Sequence, residues 1–262
     1  MASVLDSIHE LTDTLPSITL GLIDGVSLLN RVDTKYVLHE QQLRAVLAAV
    51  GSEYRVLDIN GFRISRYATT YFDTADYAMF RSHHNGERVR YKVRCRGYME
   101  SRLYFFEVKA KTNRDRTVKN RVQIPAPLDR LDDVDPAWLP AQFPYDVRAL
   151  TPMLWNRFRR LTLVSLDAGE RVTVDIDIRF GFDGQVYTRD GLVVAEVKQR
   201  KFSNASPFGR ELHLLHVRPQ SFSKFCMGTA YLHPELKQNR FKPLFLHLDQ
   251  ICPVRGCHDD LE

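Results

Sequence analysis

Apolar residues recur along much of this chain with a period of two, the spacing that places alternate side chains on opposite faces of a β-strand. Segments with this pattern are rich in Val, Ile, Tyr, Phe and Thr and are separated by turn residues. They predict eight strands, at 53–59, 62–72, 87–98, 102–111, 116–124, 158–166, 171–181 and 191–200. This number of strands predicts one large antiparallel sheet or barrel.

One segment has helical spacing instead. Leu43, Val46, Leu47 and Val50 recur at i, i+3, i+4 and i+7, and Gly51 follows them, which predicts a helix over 39–50. Because the helix has a single apolar stripe, we expect it to pack on the sheet.

The rest of the chain completes an α+β prediction. Mixed apolar spacing predicts a helical lead-in over 1–30, a short helix is expected over 73–82, and the chain turns helical after Ser206. No shift in composition marks a second domain. We therefore predict one antiparallel β-barrel or tunnel domain over 31–250 with flanking helices, and a C-terminal tail over 251–262.

The polar positions of five predicted strands carry mainly cations. Between positions 88 and 96 every second residue is cationic, and Val, Tyr, Val and Cys stand between them. The cations on the five strands are Arg88, Arg90, Lys92, Arg94 and Arg96; Lys109 and Lys111; Lys119 and Arg121; Arg171 and Arg179; and Lys198 and Arg200. Four carboxylates, Glu107, Asp175, Asp177 and Glu196, share these polar faces.

Two interpretations of the cationic faces are open. They could be the solvated side of a sheet that packs on its other side, a common arrangement in antiparallel sheets. Like charges crowded along and across strands repel each other, however, and a bound polyanion would offset that repulsion. A barrel closed around these faces would form a cationic tunnel for a linear polyphosphate, with carboxylates that bind a metal or orient the cations.

Composition and the N-terminal sequence indicate the cellular compartment and the charge of the binding partner. The 262 residues carry a formal charge of +5, which suggests an anionic partner but is a small excess for a nucleic-acid binder. Four scattered cysteines and the absence of a signal-like N-terminus predict a cytoplasmic protein. No apolar run approaches the roughly 20 residues that span a bilayer, so no membrane segment is expected, although a membrane-protein partner remains open.

Nine short motifs occur in order along the chain. They are Arg31-Val32-Asp33-Thr34-Lys35-Tyr36, Tyr71-Phe72-Asp73-Thr74, Arg94-Cys95-Arg96-Gly97-Tyr98, Phe106-Glu107-Val108-Lys109, Val118-Lys119-Asn120-Arg121, Asn156-Arg157, Arg171-Val172-Thr173-Val174-Asp175, Glu196-Val197-Lys198 and Ser223-Lys224-Phe225. In this order they resemble the triphosphate tunnel metalloenzymes (CYTH-like proteins), and more closely the polyphosphate polymerase domain of the vacuolar transporter chaperone family, the VTC domain. The resemblance extends from about Arg31 to about Gly228.

The resemblance implies roles for individual residues. Seven cations would act on the transferred phosphates as catalytic residues: Lys35, Arg94, Arg96, Lys109, Lys119, Arg157 and Lys198. Further substrate contacts are expected from Arg88, Arg90, Lys92, Lys111, Arg121, Arg171 and Arg200, and from Ser223 and Lys224 on a helix at the tunnel wall or mouth. Glu196 would bind the divalent metal, Mn²⁺ or Mg²⁺.

The implied reaction is transfer of the terminal phosphoryl group of ATP to a growing polyphosphate, so ATP and polyphosphate are the expected partners. A tripolyphosphatase, a nucleotide cyclase and a non-catalytic polyphosphate-binding module are the alternatives. We expect no nucleic-acid partner, because a closed tunnel is too narrow for a duplex. The expected location is the cytoplasm, and peripheral association with the inner face of the membrane is an alternative.

Two positions depart from the patterns of these families. The wider superfamily often has Glu-x-Glu-x-Lys, whereas Arg31-x-Asp33-x-Lys35 lacks the first carboxylate, which favours one metal over two. Trp155 stands where the VTC pattern usually has Tyr before the Asn-Arg pair.

Overall fold

The computed structural model describes residues 4–24, 31–113, 117–132 and 134–255. In these ranges the helices are α1 (Val4–Thr14), α2 (Leu20–Asp24), α3 (Glu40–Val50), α4 (Ala78–Asn85), α5 (Pro207–Leu214), α6 (Lys224–Leu232) and α7 (Lys242–Ile251). No helix in this part of the chain is both long and apolar enough to span a lipid bilayer.

The described strands belong to one sheet. They are β1 (Ser17–Thr19), β2 (Val32–His39), β3 (Arg55–Asp58), β4 (Ile64–Asp73), β5 (Arg90–Tyr98), β6 (Leu103–Lys111), β7 (Thr117–Ile124), β8 (Thr151–Ser165), β9 (Glu170–Phe182), β10 (Gln185–Arg189), β11 (Leu192–Gln199) and β12 (Val254–Arg255). The pair β1–β3 is parallel, and the register of β4 to β7 and of β9 to β11 is antiparallel.

Contacts divide the chain into two compact units. The first unit comprises Met1–Arg66, Phe158–Ile178 and Arg189–Phe222, and the second comprises Tyr67–Arg157, Arg179–Thr188 and Ser223–Glu262. The long strands β4, β8 and β9 contribute residues to both units.

In the first unit the strands lie in the order β1-β3-β8-β9-β11-β2. The apolar stripe of α3 packs on the apolar positions of β9 and β11, including Val172, Val174 and Val193, in one buried core. A capping box starts α3: the His39 side chain accepts from the Gln41 amide, and the Gln42 side chain accepts from the His39 amide. Because this core covers one face of β9 and β11, the polar side chains of these strands lie on the opposite face.

In the second unit the strands lie in the order β12-β10-β9-β8-β4-β5-β6-β7. Asp73, at the end of β4, is fully buried, and its carboxylate accepts hydrogen bonds from the amides of Thr74, Met79 and Phe80 at 2.8–2.9 Å. These bonds satisfy amide groups at the start of α4, which would otherwise have no partner. The expected helix over 73–82 therefore begins later, at Ala78.

The predicted α+β class and the antiparallel sheet with flanking helices are confirmed. All eight predicted strands occur, but the one expected to begin at residue 158 begins at Thr151. Strands β1, β2, β10 and β12 were not predicted. The predicted helix over 39–50 is α3, and the chain after Ser206 is largely helical, as expected.

The prediction that the sheet closes into a barrel was wrong, as the strand pairing shows. In the described ranges β2 pairs only with β11, and β7 pairs only with β6. Strand β7 is exposed at five of its eight positions, including Lys119 and Arg121. Cations on an edge strand disfavour pairing with a further strand. The predicted domain limits at residues 30 and 250 remain predictions, and residues 25–30 and 256–262 lie outside the described ranges.

Candidate functional site

In the second unit, cationic side chains from three neighbouring strands come into register. Arg94 of β5 is paired with Glu107 of β6, which is paired with Arg121 of β7. Two residues away along each of these strands is a lysine on the same face. These three lysines stand opposite one another: Lys92, Lys109 and Lys119. We call the surface formed by Lys92, Arg94, Arg96, Glu107, Lys109 and Lys119 the cation face.

Glu107 lies at the centre of the cation face and is fully buried. Its Oε2 accepts from Arg94 Nε at 2.6 Å and from Arg94 Nη2 at 2.5 Å, and its Oε1 contacts the Lys119 ammonium. Burial would raise the pKa of the Glu107 carboxyl, but Arg94, Arg96 and Lys119 outweigh it and lower that pKa to about 2. Glu107 is therefore a permanent counterion that orients two of the surrounding cations.

The cations on this face outnumber their counterion. The neighbouring charge of Arg94, followed by burial and the charges of Arg96 and Lys119, lowers the pKa of the Lys109 ammonium to about 6. Lys109 therefore releases its proton more readily than an ordinary lysine. A bound anion would reverse this effect, because it favours the charged form of the amine.

Two hydroxyl groups of β4 complete the face. Tyr71 is paired with Arg94, whose Nη1 donates to the phenol oxygen at 3.5 Å, and Arg96 Nε donates to Thr69 Oγ1 at 3.3 Å. Burial would raise the pKa of the Tyr71 phenol, but the charges of Arg94, Arg96 and Lys92 outweigh it and lower that pKa. Tyr71 thus helps to position Arg94.

Helix α6 is tied to the same face at its N-terminus. Lys92 Nζ donates to Ser223 Oγ at 2.8 Å, and the same oxygen accepts from the Cys226 amide at 3.2 Å as the cap of α6. Lys224 is the first residue of that helix. The structure therefore brings Ser223 to one edge of the cation face.

The first unit contains a second charged group, which we call the lysine–carboxylate cluster and which comprises Asp33, Lys35, Glu196 and Lys198. Lys35 Nζ donates to Glu196 Oε1 at 2.7 Å, and Lys198 Nζ lies 2.8 Å from Glu196 Oε2 and 3.2 Å from Asp33 Oδ2. Burial would raise the pKa of Glu196, but the two lysines hold it far below its ordinary value. Glu196 is therefore ionised across the physiological range.

Strand register explains how the lysine–carboxylate cluster forms. Strand β11 lies between β2 and β9, so Glu196 stands opposite Lys35 on one side and Thr173 on the other. Lys198 stands in the same way between Asp33 and Arg171. Two adjacent rows of three residues therefore share one face of the sheet.

The donor atoms of this cluster fit one hard divalent cation. Mg²⁺ and Mn²⁺ prefer oxygen ligands, and Mg²⁺ is usually bound by one or two carboxylates together with substrate phosphates and water. Glu196 supplies an ionised carboxylate, and Asp33 supplies a second one that shares Lys198 with it. Three His, Cys, Asp or Glu side chains do not cluster anywhere in the described ranges, so water or substrate oxygens would complete the coordination.

The other carboxylates considered from the sequence are bound to cations. Asp175 accepts from Arg160 Nε at 2.5 Å and from Arg160 Nη2 at 2.8 Å, a bidentate pair on neighbouring strands. Glu107 is held by Arg94 and Lys119, as described above. The sequence left two roles open for these carboxylates, binding of a metal and orientation of the cations. Asp175 and Glu107 both orient cations.

Several predicted contact residues are not members of the cation face or of the lysine–carboxylate cluster. Arg88 and Arg200 are exposed and flank β5 and β11, and Arg90 donates to the Glu87 carbonyl at 2.5 Å. Arg157 is exposed, with its guanidinium 4.9 Å from the ring centre of Trp155. The remaining positions are Lys111 opposite Arg90, Arg121 over the Phe105 ring, Arg171 opposite Lys198, and Lys224 at the start of α6.

The sequence did not single out four residues as site residues. Asp33, Tyr71 and Thr173 occur in the motifs, but the motifs alone do not show that each stands beside a predicted site residue. Arg160, the partner of Asp175, lies in a strand that shows no cationic alternation. Strand register was the missing information, and one sequence does not provide it.

Comparison with known proteins identifies the family. The family model of the VTC domain matches residues 30–133 and 140–233, while no curated protein matches the chain. Similar solved structures include HpAC1 from Hippeastrum, for which a dominant triphosphatase activity is described, with 11% identity, 77% of this chain and 96% of that chain covered, and a TM-score of 0.47.

Two further structures have comparable values. A proposed adenylate cyclase from Bacillus halodurans shows 9% identity over 74% of this chain and 96% of that chain, with a TM-score of 0.48. The PH1819 protein from Pyrococcus horikoshii OT3 shows 11% identity over 76% of this chain and 98% of that chain, with a TM-score of 0.43. The family match covers most of the chain and agrees with the ordered motifs, so this chain belongs to the VTC domain family.

Proposed function

We propose that this protein is an ATP:polyphosphate phosphotransferase, which transfers the terminal phosphoryl group of ATP to a growing polyphosphate chain. The observation that carries the proposal is the cation face, where Arg94, Arg96, Lys109 and Lys119 surround a single buried carboxylate. Membership of the VTC domain family supports the same reaction.

The chemistry of the cation face suits a chain of phosphates. The Arg94 and Arg96 guanidiniums are buried, and their charges act unfavourably on the neighbouring Lys109 ammonium, because like charges held close together disfavour the charged form of each other. Guanidinium groups bind phosphate oxygens with two parallel hydrogen bonds, while lysines add compact positive charge. A polyphosphate would supply the negative charge that Glu107 alone does not.

The proposed reaction needs no covalent intermediate on the protein. A terminal oxygen of the polyphosphate attacks the γ-phosphorus of ATP, a new phosphorus–oxygen bond forms, and the bond to the β–γ bridging oxygen breaks to release ADP. Such a transfer needs mainly positioning and neutralisation of the equatorial phosphate oxygens. Arg94, Arg96 and Lys119 are arranged for that task, with Glu107 and Tyr71 fixing the Arg94 side chain.

Within the first unit, the lysine–carboxylate cluster offers two ammonium groups that would bind phosphate. Lys35 and Lys198 would transfer hydrogen bonds from Glu196 to phosphate oxygens, leaving the carboxylates of Glu196 and Asp33 for a divalent cation. When bound, Mn²⁺ or Mg²⁺ would neutralise charge on the phosphates.

A product assay tests the proposal directly. The purified chain, incubated with ATP and Mn²⁺, should release ADP and form polyphosphate that gel electrophoresis resolves by length. Lys198→Ala and Arg94→Ala should abolish the product while the protein stays folded by circular dichroism. Arg130→Ala is the control, because this side chain is 83% exposed and pairs with Asp132 at the surface.

Other products would assign another function. Orthophosphate alone from tripolyphosphate would indicate a hydrolase, and cyclic AMP from ATP would indicate a nucleotide cyclase. Tight polyphosphate binding without turnover under any divalent metal would indicate a binding module. Duplex nucleic acid bound as tightly as polyphosphate would contradict the proposed site.

We place the proposed reaction in the cytoplasm, where ATP is available. The cysteines of the described ranges, Cys95, Cys226 and Cys252, are buried and free of disulfides, which supports a reducing environment. Association with a membrane protein at the inner face of the membrane is part of the proposal, and co-purification from membrane fractions would test it.

A further inference from the structure

Thr173 carries a buried hydroxyl group that makes no hydrogen bond to the described part of the chain. The residue is only 7% exposed, and its Oγ1 has no hydrogen-bond partner within the described ranges. Most buried polar groups in proteins are hydrogen-bonded, so an exception calls for an explanation such as an ion or a water molecule. Valine has nearly the same shape and would remove the unpaired group.

The surroundings of Thr173 indicate what its hydroxyl could bind. Thr173 stands directly opposite Glu196 on the adjacent strand, and opposed side chains on one face of an antiparallel pair lie about 5 Å apart at their Cβ atoms. On the β11 side of Thr173, the residue in register is thus an ionised carboxylate, which attracts cations and repels phosphate. A hydroxyl oxygen is also a hard donor of the kind that Mg²⁺ and Mn²⁺ accept.

The contacts of Glu196 explain why its carboxylate does not pair with this hydroxyl. Both oxygens of Glu196 are engaged by ammonium groups, one by Lys35 and the other by Lys198. Within the described ranges, neither a donor nor an acceptor therefore reaches the Thr173 hydroxyl. The row Lys35–Glu196–Thr173 lies entirely within the first unit.

We propose that the Thr173 hydroxyl is an oxygen ligand, directly or through one water molecule, of a divalent cation bound at Glu196. The inference deepens the proposed function in that it rests on a cation at Glu196, but it requires no polyphosphate synthesis. Strand β9 fixes the Thr173 backbone beside Glu196, on the side of β11 opposite Lys35. The Thr173 hydroxyl would therefore hold the cation on the β9 side of the carboxylate.

Removal of the hydroxyl alone tests the inference. Mn²⁺ binding to the full chain, without ATP, is measured from the loss of the free-ion signal in electron paramagnetic resonance. Thr173→Val should weaken Mn²⁺ binding about tenfold or more, the loss expected when a ligand or its supporting contact is removed. Thr173→Ser keeps the hydroxyl and should bind Mn²⁺ close to the wild-type value, whereas Glu196→Gln should abolish binding.

A matched control separates cation binding from stability. Thr229 in α6 also carries a buried hydroxyl without a partner in the described ranges, and it lies in the second unit. Both Thr173→Val and Thr229→Val should melt at or above the wild-type temperature, because each removes an unpaired buried group. Only Thr173→Val should change Mn²⁺ affinity.

Three results would overturn the inference. Wild-type Mn²⁺ affinity in Thr173→Val would show that the hydroxyl does not serve the cation, and a lower melting temperature with lower affinity would indicate a structural role. Weaker binding of tripolyphosphate alone by calorimetry, with Mn²⁺ affinity intact, would assign the hydroxyl to phosphate. The product assay with ATP is separate, so failure of the polymerase proposal leaves these binding results interpretable.

Discussion

Replacement of Glu107 by Gln should destabilise the protein and increase its response to polyanions. The Glu107 side chain is fully buried and contacts both Arg94 and Lys119. Gln keeps the size of the side chain and removes its charge, so the change isolates electrostatics from packing. Loss of the charge leaves a group of neighbouring cations without a counterion.

The structure gives the magnitude of this effect. The pKa of Glu107 falls from 4.5 to about 2, and at about 1.4 kcal/mol per pKa unit this corresponds to roughly 3 kcal/mol of stability. Breaking a buried ion pair typically costs about 3–5 kcal/mol, which agrees. For a protein of this size, 3 kcal/mol corresponds to a fall in melting temperature of roughly 6–12 °C.

The pH dependence has a definite sign. A carboxyl whose pKa is lower in the folded protein contributes its full stability above the unfolded pKa, here 4.5, and loses it as the pH falls toward about 2. The difference in stability between wild type and Glu107→Gln should therefore be largest at neutral pH. It should shrink steadily between these two pH values.

Thermal unfolding followed by circular dichroism measures these effects, with and without tripolyphosphate. Tripolyphosphate should raise the melting temperature of Glu107→Gln more than that of the wild type, because it replaces the missing counterion. Asp76→Asn is the control, since Asp76 and its partner Arg81 are both about 60% exposed and surface pairs contribute little. A fall of under about 2 °C, or equal responses to tripolyphosphate, would refute the central role of Glu107.

Three further predictions concern neighbouring residues. The pKa of Lys109, about 6 in the free protein, should rise when tripolyphosphate binds, so calorimetry at pH 7.5 in buffers of different ionisation enthalpy should show proton uptake that Lys109→Met removes. Tyr71→Phe should weaken tripolyphosphate binding several-fold through loss of an about 1 kcal/mol hydrogen bond, whereas Tyr91→Phe, which loses a bond to a loop carbonyl, should not. Gly181→Ala should lower stability by about 1–3 kcal/mol in chemical denaturation, because its methyl group would overlap the Trp155 indole; unchanged stability would contradict this packing.

The strands that alternate most regularly were predictable from the sequence, and the strand that carries Lys35 was not. In β2 the consecutive residues Tyr36, Val37 and Leu38 are all buried, because both faces of the strand are covered there. Burial on both faces removes the period-two signal. The first half of β8 was missed as well, since Pro152 and its mixed sequence resemble a connection.

Alternation predicts which side chains share a face, but it cannot predict which residues stand opposite each other. The cations of β5 and β6 were placed on one side from sequence alone, whereas the pairing of Arg94 with Glu107 depends on register. The pairing of Lys198 with Asp33 joins residues 165 positions apart and depends on register in the same way. The ordered motifs place these residues along the chain, but they do not show which residue stands opposite which.

Glu196 has a consequence for the thermodynamics of ligand binding. By holding Lys35 and Lys198 in defined conformations, it restricts two long, flexible side chains before any ligand arrives. Ordering such a side chain on binding costs about 0.5–1.5 kcal/mol, so roughly 1–3 kcal/mol of conformational entropy is lost during folding and not during association. Under the proposed function, a phosphate would meet ammonium groups that are already in position and would displace Glu196 from both lysines and Asp33 from Lys198.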